Sequence, residues 1–175
     1  QQELGKYTKQ IENITQIREK RNSLLGQFEA AHKSNFAIRK KMFDSLTKEA
    51  QGKLKLDISY AANRADFKNE LWALRSGSGI HRTDTDKVVD SLMPRQFVDL
   101  VINNDANALS QKTGLALLNA ENLIDTLNSK EDMSEMLALS YSVYPQDIPS
   151  IKFKKDDGKY YPISEVSTGQ KCTAL

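Results

Sequence analysis

The first fifty residues contain no proline and only two glycines, Gly5 and Gly26. No other stretch limits the possible folds so strongly, because a segment without helix breakers and with recurring apolar residues has one favourable backbone state. Alternate steps of three and four pick out Leu4, Tyr7, Ile11, Ile14, Arg18, Arg21, Leu25, Phe28, His32 and Asn35. The first four, with Leu25 and Phe28, suit a coiled-coil seam; Arg18 and Arg21 interrupt it, and Ile17 and Leu24 widen it. The spacing predicts one helix over residues 1–50, roughly 75 Å long at 1.5 Å per residue. Few ordinary domains need a helix of that length. It fits either a helical bundle or the returning strand of a coiled-coil arm. Phe36, Met42, Phe43 and Leu46 suggest that its end packs on a globular body.

Beyond Gly52 the pattern changes. Leu54, Leu56, Ile58 and Tyr60 alternate with Lys55, Asp57 and Ser59, as in a strand with one wet face. Phe67, Leu71, Trp72 and Leu74 return to helical spacing. The segment Ser76–Asp86 reads as a glycine-rich linker ending in a Thr/Asp helix cap. Val88, Val89, Leu92 and Met93 resume the helical period, and Pro94 suits the first turn of the next helix. Leu109 and the run from Leu115 to Leu127 continue the helices, and Ser129 with Asp132 resembles a capping box for another. Ile148, Ile151 and Phe153 suggest a strand, Asp157-Gly158 a tight turn, and Lys159–Ile163 the return. The expected fold is α+β and mainly α: an arm helix over 1–50 and a lobe over 51–175. That lobe holds a helical subdomain at 64–140 and a strand pair with a terminal motif at 148–175.

Isolated residues offer little chemistry. Trp72 lies on an amphipathic stripe and reads as core, although a base could stack on it. The Ser76–Asp86 loop lacks the spacing and the Lys-Ser/Thr of a P-loop, so phosphate contact there is the weaker reading. His32 and His81 are far apart and show no zinc spacing. Cys172 is the only cysteine, which excludes an internal disulfide, fits a reducing cytoplasmic compartment and reads as a small core residue. No run has the length needed to span a bilayer.

The terminal motif is more informative. Ser167 and Gln170 form an S-x-x-Q capping box, and Gly169 lets the backbone come close to whatever faces the helix start. Free N–H groups and the positive end of the helix dipole favour phosphate there, although such boxes also close helices that bind nothing. Val166-Ser167-Thr168-Gly169-Gln170-Lys171-Cys172-Thr173-Ala174-Leu175 resembles the ABC signature of SMC-type ATPases, and more narrowly a bacterial TrlF-like group of them. Thr168-Gly169 stands where the transporter form has two glycines.

The resemblance implies the C-terminal lobe of an ATPase head whose signature loop meets ATP held by a second head. Ser167 would donate its hydroxyl to the γ-phosphate and Gly169 a backbone N–H, with Thr168 and Gln170 shaping the loop or touching ribose and phosphate. It also implies a head-to-head dimer serving DNA repair, chromosome handling or phage defence. The sequence contains no G-x-x-x-x-G-K-[ST] and no apolar strand ending in paired acids that would hold Mg²⁺. The 175 residues therefore read as a piece of a longer protein, inactive alone. Gln1 and the short turn after Ser167 point the same way.

Two readings from other classes compete. In one, residues 1–50 form a partner-binding helix of a non-enzymatic scaffold. In the other, the arm binds DNA through Lys33, Arg39, Lys40 and Lys41. Residues 1–50 hold ten Lys/Arg against six Asp/Glu, within a whole-chain net charge of only +2.

Overall fold

In the computed structural model, residues 2–165 are described, the side chains of 2–4 and 6 excepted. Two compact units divide the chain, Gln1–Ile38 and Arg39–Leu175. Helix α1, Gln2–Glu49, is a single element of 48 residues, as the absence of breakers requires. In the first unit Tyr7, Ile11, Ile14, Ile17 and Leu24 are exposed along it, whereas Leu25 is buried.

The second unit carries the last turns of α1 and the remaining elements. These are β1 (Leu54–Asn63), α2 (Ala65–Leu74), α3 (Arg82–Ser91), α4 (Pro94–Ile102), α5 (Ala106–Thr113), α6 (Leu117–Asn128), α7 (Ser134–Ser142), β2 (Gln146–Lys154) and β3 (Tyr160–Pro162). A 3₁₀ turn, Ile163–Glu165, follows β3. The strands form one antiparallel sheet in the order β1-β2-β3. Six helices are thus inserted between two neighbouring strands.

The core belongs to those helices. Phe67 and Leu71 of α2, Val88 of α3, Phe97, Val98 and Val101 of α4, Leu109 of α5, Leu123 and Leu127 of α6 and Met136 of α7 are sealed from solvent. Burying each such side chain contributes about 1.5–3 kcal/mol, which is why helices of eight to twelve residues persist here.

The helix ends have specific partners. Asp105 caps α5 by accepting the Ala108 amide, and Gly114 closes that helix in the left-handed conformation at φ 70°. Arg64 serves α3 from outside: Nη1 donates to the carbonyls of Val89, Asp90 and Leu92, groups the last turn leaves without intrahelical donors. Buried Asp84 accepts from Lys87 and from Asn119 of α6, tying two helices together.

The sheet is anchored to the end of α1. Thr47 Oγ1 accepts the Leu56 amide at 3.0 Å and donates to the Leu56 carbonyl at 3.1 Å, so one hydroxyl covers both groups on the outer edge of β1. Leu54 lies opposite Phe153, Leu56 opposite Ile151 and Ile58 opposite Pro149, and the register shifts between Ser59 and Asn63. At that irregularity Ala61 is buried with φ 47°, a conformation costly for a residue with a β-carbon.

Four local expectations are corrected. Helix α3 starts at Arg82 after His81, so Thr83 and Asp84 lie inside its first turn. Ser129 ends α6, while Asp132 accepts both the amide and the hydroxyl of Ser134 at the start of α7; the Ser129–Asp132 box does not form. Met42 and Leu46 remain exposed, while Phe36 and Phe43 are half-buried. Trp72 is half-buried and stands outside the core.

Replacing Arg64 with Met keeps the aliphatic stem but removes the charge-assisted bonds to α3. Urea unfolding is expected to show a loss of about 1.5–3 kcal/mol.

Candidate functional site

Ser167, Thr168, Gly169 and Gln170 lie outside the described residues, as does Cys172. The described chain provides the approach to them, and its chemistry can be followed to Glu165.

That approach is the β2–β3 hairpin. Phe153 pairs with Tyr161 and Lys154 with Tyr160 across a turn at Asp157-Gly158, with Gly158 at φ 78°. Asp157 organises the turn. One carboxylate oxygen accepts the Lys159 amide at 2.9 Å, and the other accepts the Tyr161 hydroxyl at 2.7 Å. Lys155 Nζ stands 4.3 Å from the centre of the Tyr161 ring. On the neighbouring strand residue, the Tyr160 hydroxyl donates to the Gly52 carbonyl at the entrance to β1. The hairpin is thereby tied to the α1–β1 junction 108 residues earlier in the chain.

A second polar junction lies where β1, β2 and α1 meet. The Asp147 side chain, 7% exposed, pairs with Arg39 at 3.2 Å and accepts the Ala61 amide at 2.9 Å. The Tyr60 and Tyr144 hydroxyls hydrogen-bond beside it. On the outer face Lys40 pairs with Asp57 at 2.7 Å and Asp44 at 3.3 Å. The Asp57 hydrogen bond, then that of Asp44, raises the Lys40 pKa, and Lys40 in turn lowers that of Asp57. These groups are well solvated, so the pairing adds little stability.

The junction bears on the basic-arm reading. Arg39 and Lys40 are committed to intramolecular carboxylates, while Lys33 and Lys41 are exposed. Of the other residues weighed in the sequence, His32 packs edge-on against Phe28 with ring centres 4.5 Å apart, and His81 precedes α3 in extended backbone. Trp72 carries the Arg75 guanidinium 3.4 Å from its ring centre.

Among the described residues, no group of three His, Cys, Asp or Glu side chains is placed to hold a metal ion. A cleft of about 430 Å³ opens between α2 and α7, lined by Glu70, Lys130, Glu135 and Ser142 among others. No helix among those residues is long and apolar enough to cross a membrane. The roles of Arg64 and Asp147 have no sequence signal, because each partner lies more than twenty residues away.

Hydrogen bonds from Lys159 and then Tyr161 lower the Asp157 pKa, while Asp157 raises that of Tyr161. The carboxylate's contribution is complete above its unfolded pKa and is lost as pH falls through the depressed folded value. The tyrosine's contribution is complete below its own unfolded pKa and is lost as pH rises through the raised folded value. The Lys159 amide resonance should therefore move at acid pH with a midpoint below that of an ordinary aspartate. Asp157→Asn should abolish that transition.

No family model, curated protein or solved structure matches this chain.

Proposed function

We propose that this chain is a head segment of an SMC-like ATPase acting in the cytoplasm. In this reading Ser167, Thr168, Gly169 and Gln170 complete the site of an ATP and Mg²⁺ held by a second head. The observation that carries the reading is the order of elements at the motif. Strand β3 ends at Pro162, a single 3₁₀ turn runs to Glu165, and the S-x-G-Q sequence begins two residues later.

The hairpin's two ties, Asp157 to Tyr161 and Tyr160 to Gly52, support the reading because they brace the chain just ahead of the motif. A donor that is held in place before ATP arrives needs no reorganisation when negative charge develops on the transferring phosphoryl group. Ser167 supplies a hydroxyl and Gly169 an amide, and closure of two heads around the nucleotide brings these donors to it. The P-loop and the acids that hold Mg²⁺ come from elsewhere in the working enzyme. The head dimer then serves DNA repair, chromosome handling or phage defence.

The exposed apolar residues of α1 support a second reading. Tyr7, Ile11, Ile14 and Ile17 leave 61%, 65%, 51% and 63% of their surfaces in solvent, more than a helix needs for its own stability. In the ATPase reading they face the other strand of a coiled-coil arm; in a scaffold reading they bind a partner helix without nucleotide.

Ser167→Arg, made in the protein that carries this segment together with its P-loop, separates the two. Loss of ATP-dependent head association and a fall in turnover of about 100-fold are expected. Unchanged turnover, with nucleotide-independent self-association of the arm in sedimentation, favours the scaffold.

A further inference from the structure

The loop that joins α2 to α3 builds a feature that the proposed ATPase function does not use. Ile80 is buried at 2% exposure and fixes the loop to the helical core. Gly77 at φ 93° and Gly79 at φ 73° supply the left-handed turns that fold the chain back on itself. The Arg75 side chain donates from Nη1 to the Ile80 carbonyl, closing the loop from the other side. As a result Arg82, the first residue of α3, returns to the same tryptophan that Arg75 covers. The Arg75 guanidinium lies 3.4 Å from the Trp72 ring centre and that of Arg82 lies 5.9 Å from it.

Two like charges are thus gathered at one ring. Among the described residues neither guanidinium meets a carboxylate, whereas the neighbouring cations Lys68 and Lys87 pair with Asp86 and Asp84. Cation–π attraction holds each arginine near the indole, but it does not neutralise charge. A base stacked on the indole would have to displace Arg75 from the ring. A phosphate oxyanion needs no such displacement, because the Arg82 guanidinium can donate two parallel hydrogen bonds to it while Arg75 keeps Nη1 on the Ile80 carbonyl.

We propose that Trp72, Arg75 and Arg82 form a phosphate-binding site in which Arg82 is the mobile donor and the indole holds Arg75 in place. The shared ligand chemistry is a phosphate oxyanion, presented either by a single-stranded nucleic-acid backbone or by a free polyphosphate. The site is independent of the terminal motif.

Trp72 is the only tryptophan in the chain, so its emission reports on this site alone. The 175-residue chain is titrated at low ionic strength with a short oligothymidylate and, separately, with sodium tripolyphosphate, following fluorescence and calorimetric heat together. A saturable response to either probe is expected, weakening as salt is raised. A response to the oligonucleotide alone assigns the phosphate to a nucleic-acid backbone, and a response to both assigns it to phosphate as such. Among the described residues the Arg82 side chain makes no hydrogen bond or ion pair, so Arg82→Gln should keep the same circular dichroism while weakening binding by about tenfold or more. The proposal is overturned if neither probe changes emission or releases heat, or if the response survives Arg82→Gln unchanged.

Discussion

The Asp147 carboxylate is the interaction on which the second unit depends. Its side chain is almost wholly removed from water, and a buried carboxylate persists only where its charge and lone pairs are met. Arg39 supplies the charge from the end of α1, and the Ala61 amide supplies a hydrogen bond from the irregular turn of β1. That amide is available because Ala61 leaves the regular ladder with positive φ. The Arg39 ion pair and the Ala61 hydrogen bond therefore offset both the burial of Asp147 and the backbone strain at Ala61, and they fix where β1 meets β2.

The consequence is an architecture in which the helices interrupt the sheet without belonging to it. Helices α2–α7 share one apolar core, and among the strand residues only Ile58 and Ala61 are buried hydrophobics. The sheet instead holds together through polar ties: Thr47 on the β1 edge, Tyr160 on Gly52, Asp157 within the hairpin and Asp147 at the far end. Such ties set geometry with little burial. They connect the last turns of α1 to the strand pair that precedes Ser167.

Much of this was legible in the sequence, for identifiable reasons. The long helix follows from the absence of proline, β1 from strict alternation over Leu54–Tyr60, α4 from Pro94, and the hairpin from Asp157-Gly158. Each signal is local. The errors occur where a partner is distant. Thr83 and Asp84 look like a cap in sequence but lie inside the first turn of α3, where Asp84 accepts from Asn119, 35 residues away on α6. Trp72 sits on an amphipathic stripe, yet the Arg75 it carries keeps it at the surface. The pairing of β1 with β2 spans more than eighty residues and has no period to announce it. The terminal motif is legible through its resemblance and its capping chemistry.

The register of β1 against β2 decides which face of the sheet every side chain of β1 occupies. Because both backbone groups of Leu56 are engaged by Thr47, Leu56 and Ile151 must form a non-hydrogen-bonded pair with closely approaching Cα atoms. A nuclear Overhauser spectrum of the labelled chain should therefore contain a strong Hα–Hα cross peak between Leu56 and Ile151, accompanied by one between Leu54 and Phe153. Cross peaks displaced by one residue, to Ser150 or Lys152, would move every side chain of β1 to the opposite face and contradict the placement of Asp147, as would their complete absence.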